Sequence, residues 1–306
     1  MSLGEIAERC YNMTTSYLKV STSSIIIKET QDAVRLTRQH LLEEVFTRWS
    51  PLNGEISFSY NGGKDCQVLL LLYLSCLWEF FIIQAERSQY DFKYQKFPMN
   101  NLFSVYIDLA KTFPTLENFV NLTSERYQLS LYSSMREHGT KASNMSCAFG
   151  DFLKRYPETQ AILIGVRATD PFGDTLMAIQ KTDSNWPDFY RVQPILHWKL
   201  ANIWSFLLYS DEPICGLYGN GFTSIGGIDT TIPNPYLIDS KDNRSKLSLE
   251  FQWEIDNAFE RGNDKINVLE VDPDDQLWLK KLGSEKYLPG WYLINDEIER
   301  AGRIKK

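Results

Sequence analysis

A chain of 306 residues with 43% apolar and 23% charged side chains can bury one large α/β core, or two small ones, without disulfide or metal staples. Its formal net charge of −7 argues against a nucleic-acid groove, which needs a concentrated basic face, so any polyphosphate ligand must meet positive charge locally. Cys10, Cys66, Cys76, Cys147, Cys215 and the histidines His40, His138 and His197 lack metal-ligand spacing, which argues against zinc, iron–sulfur clusters and a disulfide framework and for a reducing, cytoplasmic setting.

Residues 1–50 read as helical, with Thr30 or Asp32 as a start signal and apolar positions at Val34, Leu41, Leu42, Val45 and Phe46. This stretch is expected to pack outside the sheet and to carry no chemistry. No signal or transit pattern opens the chain. Next, the strand-like Glu55–Ser59 runs through Tyr60-Asn61-Gly62-Gly63-Lys64-Asp65 into a helix ending near Glu86. A strand, a Gly-Gly turn and a helix start present bare backbone N–H groups and a positive helix end to one small volume, which suits phosphate. It is not a Walker A loop, which would need glycine at Phe58 and a hydroxyl at Asp65. A plain Asn-Gly surface turn is the competing reading. The apolar run Val68–Ile83 is interrupted by Glu79 and fits a buried helix better than a membrane span.

A strand at Phe103–Asp108 follows, then a helix at 116–127, a strand at Leu129–Tyr132, a helix at 144–156 and a strand at Ala161–Gly165. This alternation predicts a Rossmann-like α/β fold, a mainly parallel sheet with helices on both faces and ligands at the strand C-terminal ends. Ser59, Asp108 and Arg167 should share that rim. Arg167 and Asp170, leaving the last of these strands, could hold phosphate and metal or nucleotide hydroxyls, or merely form turns with Pro171 and Gly173. Asp183, Trp186, Tyr190 and Arg191 put aromatic faces beside charge, suited to a flat ring carrying a phosphate, or to ordinary packing.

A strand at Tyr190–Leu196, a helix at Lys199–Tyr209 and the glycine-rich Gly216–Pro235, capping the site, come next. After acidic turns at Asp272–Asp275, a closing helix over 296–303 would place Arg300 and Arg303 on one face, for a ligand or for the helix C-terminus. The chain divides into 1–50, a nucleotide-binding core at 51–245 and a C-terminal helical extension at 246–306, within one compact unit expected to be a monomer.

Taken together, Ser57-x-x-x-Asn61-Gly-Gly-Lys-Asp65, Val105-Tyr-Ile-Asp108 with Phe113-Pro, Gly165-x-Arg167-x-x-Asp170-Pro, Pro194-Ile-Leu-x-Trp198 with Ile203-Trp204, and Leu217-Tyr-x-x-Gly221-Phe-Thr-Ser-Ile-Gly226 resemble the PAPS-reductase-like branch of the PP-loop superfamily. Within that branch the chain is similar to eukaryotic-type FAD synthetases (FMN adenylyltransferases), near the single-domain fungal form, over about residues 55 to 303. Cys66, where serine is usual, is the departure.

The resemblance implies ATP plus FMN giving FAD and pyrophosphate, with Mg²⁺ as cofactor and no nucleic acid or membrane as partner. It places Ser59, Asn61, Gly62, Gly63, Lys64 and Asp65 on the ATP phosphates, and Ser57, Phe58, Tyr106, Ile107, Asp108, Gly165 and Arg167 about the ATP and its adenosine. Asn61, Asp65, Asp170 and Arg300 would be catalytic, and Asp170, Asp183, Trp186, Arg191, Arg300 and Arg303 flavin-binding. Asp65 would be the carboxylate near the metal, directly or through water. The FMN phosphate, with a second pKa of about 6, is already largely dianionic, so the chemistry needs alignment and charge neutralisation from Mg²⁺, Lys64, Arg167, Arg300 and the helix start rather than a general base.

Two other chemistries and one silent role compete. A sulfonucleotide reductase needs a nucleophilic cysteine in a C-terminal Cys-Gly-Leu-His element, and Cys215-Gly216-Leu217-Tyr218 is a misplaced partial match. A tRNA-modifying PP-loop enzyme needs an RNA module that the sequence does not display. A non-catalytic nucleotide-binding protein would have little use for both Asp65 and Asp170.

Overall fold

Six strands form one sheet in the computed structural model of the chain, which describes residues 1–87, 96–107, 111–240 and 266–304. They are β1 (Ile56–Ser59), β2 (Leu102–Val105), β3 (Leu129–Tyr132), β4 (Ala161–Ile164), β5 (Ile179–Lys181) and β6 (Tyr190–Val192). The order is β3-β2-β1-β4-β6-β5, parallel throughout except for β5 against β6. Chain order reverses between β1 and β4, and Ser59 lies opposite both Val105 and Ile164. That junction at the strand C-terminal ends is where an open α/β sheet leaves a ligand crevice.

Alternation along β4 explains the layers. Ala161 and Leu163 join the main core, whereas Ile162 joins a second cluster with Val105, Tyr132, Phe149, Phe152 and Phe189. A period of two sends successive side chains to opposite faces, so both must be covered. The helices α1 (Leu3–Leu18), α2 (Ile25–Gln39), α4 (Lys64–Arg87), α5 (Pro114–Arg126) and α8 (Leu200–Ser210) contribute to the main core, and α7 (Met145–Arg155) covers the second. The helix α4 is long and apolar enough to cross a membrane, yet Val68–Leu74 are fully buried among α1, α2 and α8. Its Glu79 pairs with Arg38 of α2.

The N-terminal segment starts its helices elsewhere than expected. Ser2 caps α1 in a capping box with Glu5, and Ser24 caps α2 through Ile27 N. Thr30 sits inside α2 with its hydroxyl donating to Ile26 O at 2.7 Å, satisfied along the helix wall rather than at its end. A π turn, His40–Val45, continues into the short α3 (Phe46–Arg48).

Other departures bear on the site. The strand β2 ends at Val105, so Tyr106 and Ile107 already lie beyond the sheet, and Asp108 falls outside the described residues. The strand β6 stops at Val192, short of Pro194, which has no N–H to offer a ladder. The antiparallel β5, the five-residue α6 (Ser134–His138) and α9 (Pro273–Leu282) were not expected. The acidic turns are the start of α9, where Asp272 caps the helix and Pro273 takes its first position. The closing helix is one 3₁₀ turn, Asp296–Ile298. Beyond it Ile232 N donates to Gly302 O and Ile304 N to Thr230 O, both at 2.9 Å, which draws the segment into an extended pairing. The boundary placed at 245/246 lies outside the described residues.

Candidate active site

The loop after β1 is rigid by construction. Gly62 adopts φ +73°, and a Cβ there would come within 2.7 Å of Val120. Asn61 Oδ1 accepts from Gly63 N at 2.8 Å, closing the turn from within. Gly165, at the end of β4, lets α4 approach, because a Cβ would sit 2.8 Å from Cys66 N. At the helix start, Lys64 N donates to the buried Tyr218 hydroxyl at 3.0 Å, satisfying one of the N–H groups an α-helix leaves unpaired. Beside the loop opens a hollow of about 160 Å³ lined by Asn61, Gly63, Tyr106, Ile107, Ile225 and Gly226. The glycine-rich segment thus supplies its far wall. A larger hollow of about 320 Å³ under α9, near Asn220 and Tyr287, shares none of these residues.

Behind the loop lies a buried ion cluster. Lys64 and Arg167 are 2% and 0% exposed. Lys64 Nζ meets Asp65 Oδ2 at 2.9 Å and Glu299 Oε1 at 2.5 Å. Arg167 meets Asp65 Oδ1 and Asp296 Oδ1, each at 2.7 Å, and Glu299 Oε2. The Arg167 Nε–Asp65 contact is a direct ion contact outside hydrogen-bond geometry. Three carboxylates therefore surround two cations. Burial by itself favours a neutral Lys64, but Asp65 and Glu299 outweigh it and hold the ammonium well above its ordinary value. Burial likewise opposes the Asp65 carboxylate, and Lys64 and Arg167 outweigh it to lower its pKa.

This arrangement changes the parts expected of two cations and one acid. Lys64 and Arg167 were expected to face phosphate; the structure turns both toward carboxylates inside the protein. Asp65 was expected beside a metal ion, but each of its oxygens already meets a cation, and it does not fit as a ligand. Asp296 and Glu299, which close the cluster from the C-terminal segment, were not singled out in the sequence, and Tyr218 was noted only within a motif, with no part at the loop assigned to it. The one available signal was that Lys64 opens an apolar helix, where a buried ammonium needs more counter-charge than Asp65 alone supplies.

Positive charge that does face the rim comes from the same segment. Arg300 Nη1 lies 3.4 Å from Ser224 Oγ and 3.9 Å from Asp170 Oδ1. Arg303 Nη1 donates to Thr231 at 2.8 Å and fills the space a Cβ on Gly226 would take. Burial, with Arg300 alongside, depresses the Arg303 pKa. Asp170 Oδ2 accepts from Arg167 N at 2.9 Å, leaving Oδ1 toward Arg300. Arg300, Arg303 and Asp170 are thus brought together, as the sequence suggested.

The remaining positions divide. Ser57 Oγ is buried against Thr159 at 2.7 Å and Phe58 packs on Tyr60 and Tyr73, so neither side chain reaches the hollow, whereas Ser59 ends β1 on the rim. Asp183 lies 3.9 Å from Arg191, and Trp186 packs against Phe149. Their loop joins β5 to β6 where β6 begins opposite Ala161, a strand's length from the rim.

Comparison with known proteins places this geometry. Residues 55–233 match the phosphoadenosine phosphosulfate reductase domain. The chain is 60% identical, over the full length of both, to the flavin adenine dinucleotide synthase of Saccharomyces cerevisiae. The chain belongs to the FAD synthase family. The crystal structure of the yeast FAD synthetase in complex with FAD superposes with a TM-score of 0.86 at 58% identity, covering 99% of this chain and 100% of that one. The Candida glabrata FMN adenylyltransferase with FAD and inorganic pyrophosphate superposes at 0.87 with 55% identity, covering 100% and 98%. Membership of the FAD synthase family fits the state of Cys215. That thiol is fully buried and pushed up to about 12, by burial first and then by Asp275, the opposite of what a nucleophilic cysteine requires.

Proposed function

We infer that the chain transfers the adenylyl group of ATP to the phosphate of FMN, giving FAD and releasing pyrophosphate. The observation that carries this reading is the meeting of Arg300, Arg303 and Asp170 above the glycine loop, a cationic seat for an incoming phosphate next to a nucleotide hollow. The relatives that hold FAD, or FAD with pyrophosphate, support it.

FMN phosphate is the nucleophile and needs no base, being largely dianionic at neutral pH with a second pKa of about 6. The ATP phosphates run along the Asn61–Gly63 turn and the positive start of α4, with the adenosine toward Tyr106 and Ile107. Arg300 and Arg303 bring the FMN phosphate in line with the α-phosphorus and offset the charge repulsion between two polyanions. Lys64 and Arg167 act from behind, fixing loop and C-terminal segment to each other. A magnesium ion bound with ATP would supply neutralisation of phosphate charge. Asp170, whose Oδ1 lies toward the rim 3.9 Å from Arg300 rather than in the buried cluster, would be the acid to hold it. The isoalloxazine extends toward Asp183, Trp186 and Arg191. The same reading takes small molecules as substrates and proposes a monomer in a cytoplasmic setting, the last in keeping with free thiols at all five cysteines.

Purified protein incubated with ATP, Mg²⁺ and FMN, with flavins separated by chromatography and pyrophosphate assayed, tests the reading. FAD and pyrophosphate should appear in equal amounts. Failure with FMN, together with thiol-dependent sulfite release from a sulfonucleotide, would replace it with reductase chemistry.

A further inference from the structure

Among the described residues Phe172 is the most exposed large apolar side chain, at 82%. It also carries left-handed backbone angles, φ 65° and ψ 6°, rare for a bulky residue and readily adopted by glycine. Two unfavourable features at one position, an uncovered ring and a strained backbone, persist only where the surroundings impose them, and such sites cluster at ligand clamps.

The surroundings do impose them. Gly173 N donates to Asp170 O at 2.8 Å and Asp170 N to Arg167 O at 3.0 Å. The Thr175 hydroxyl donates to Phe172 O at 2.9 Å, and Gly173 lies so close that a Cβ would be 2.1 Å from Arg167 O. The turn is thus fixed to the buried Arg167, and its ring is held out at the rim two residues beyond Asp170. From there the chain passes Met177, 60% exposed, and enters β5 at Ile179, opposite Val192. The segment therefore spans the ground between the phosphate seat at Asp170 and Arg300 and the flavin-side residues beyond β5.

We propose that Phe172 is a specificity-determining residue for the flavin, its ring covering one face of the isoalloxazine when the FMN phosphate is seated at Asp170 and Arg300. The proposal rests on the adenylyl-transfer reading above. A flat ring with polarizable faces stacks on an aromatic side chain, and a rigid, pre-positioned ring loses little freedom on binding. Backbone strain and an uncovered ring are the cost of holding it there.

Phe172→Gly separates this role from a structural one. It relieves the strain, so the melting temperature should rise by about 1–3 °C. The FMN KM should rise roughly tenfold, as expected when a stacked ring is removed, with the ATP KM unchanged. Phe172→Trp should keep FMN affinity and quench flavin fluorescence on binding, because an excited flavin takes an electron from a nearby indole. An unchanged FMN KM in Phe172→Gly, or unquenched flavin bound to Phe172→Trp, overturns the proposal. Should Phe172→Gly misfold, the Phe172→Trp titration decides alone. If the wild type makes no FAD, the parent reading falls and this one with it; if the wild type is active and both variants behave like it, only this one falls.

Discussion

Glu299→Gln removes one charge from the cluster behind the loop while keeping shape. Glu299 is 3% exposed and meets Lys64 and Arg167 with its two oxygens. Glutamine retains one acceptor, so whichever way the amide turns, its NH₂ faces a cation. The loss of one hydrogen bond to a charged partner costs about 1.5–3 kcal/mol. An offset reduces this, because the three carboxylates around two cations become two and the repulsion of Glu299 by Asp65 and Asp296 disappears. The expected net cost is about 2 kcal/mol, below the ~3–5 kcal/mol for breaking an otherwise balanced buried pair. At about 2 °C per kcal/mol for a chain of this length, the melting temperature should fall by ~4 °C.

The pH dependence has a defined sign. Asp65 is held below its usual 3.8, so its contribution is present above that value and lost as pH falls through the folded pKa. Lys64 is held above its usual 10.5, so its contribution is complete below that value and lost as pH rises through the folded pKa. The cluster's stabilisation should therefore be level from about pH 5 to 9, and the gap between wild type and variant with it. Thermal unfolding across that range, paired with FAD formation at saturating substrates, is the assay. Turnover should fall as well, since Arg300 is the next residue. A melting temperature within 1 °C of wild type would mean that the cluster does not hold the segment in place.

Asp170→Ala should lower turnover by orders of magnitude more than it weakens ATP binding, measured by single-turnover kinetics and by titration; equal losses would remove Asp170 from the reacting phosphates. Cys215→Ser should keep FAD formation within about twofold, since its buried thiol takes no part, and a folded but inactive variant would bring thiol chemistry back. Gly165→Ala forces a methyl against Cys66 N and Cα at 2.8 and 2.9 Å, and should destabilise by about 1–3 kcal/mol in denaturant unfolding while weakening ATP.

The fold was legible where period and punctuation were strong. Ile56–Ser59 alternates apolar and polar residues and Ala161–Ile164 is a short apolar run, and α4 is unmistakable in its apolar content. The strand–turn–helix at Asn61-Gly62-Gly63 was legible because its glycines stand between two clear elements, and the structure sets that turn beside a hollow. The strand β5 was missed because Ile179-Gln180-Lys181 is an edge piece of three residues with little apolar signal. The helix α9 was missed because Asp-Pro reads equally as a turn or as a cap with a first helical residue. The inward orientation of Lys64 and Arg167 showed in sequence only as a shortage of counter-charge at Lys64, since its partners Asp296 and Glu299 resemble any solvated C-terminal stretch. Only tertiary packing reveals them as counter-ions.

The Lys64–Glu299 contact joins residues 235 positions apart, and Asp275 reaches Thr115 across 160. Loops of that length close late in folding, after local βα units have formed. Residues 296–299 supply two of the three carboxylates that meet Lys64 and Arg167, so the charge balance of the cluster is completed only when that segment docks. Substitutions at Glu299 or Asp296 accordingly belong to the late side of the folding barrier and should quicken unfolding while leaving refolding rates nearly untouched. Because Arg300 and Arg303 ride on the same stretch, a substrate gripping them should restrain it too, and the lifetime of the native state should lengthen with occupancy of the site.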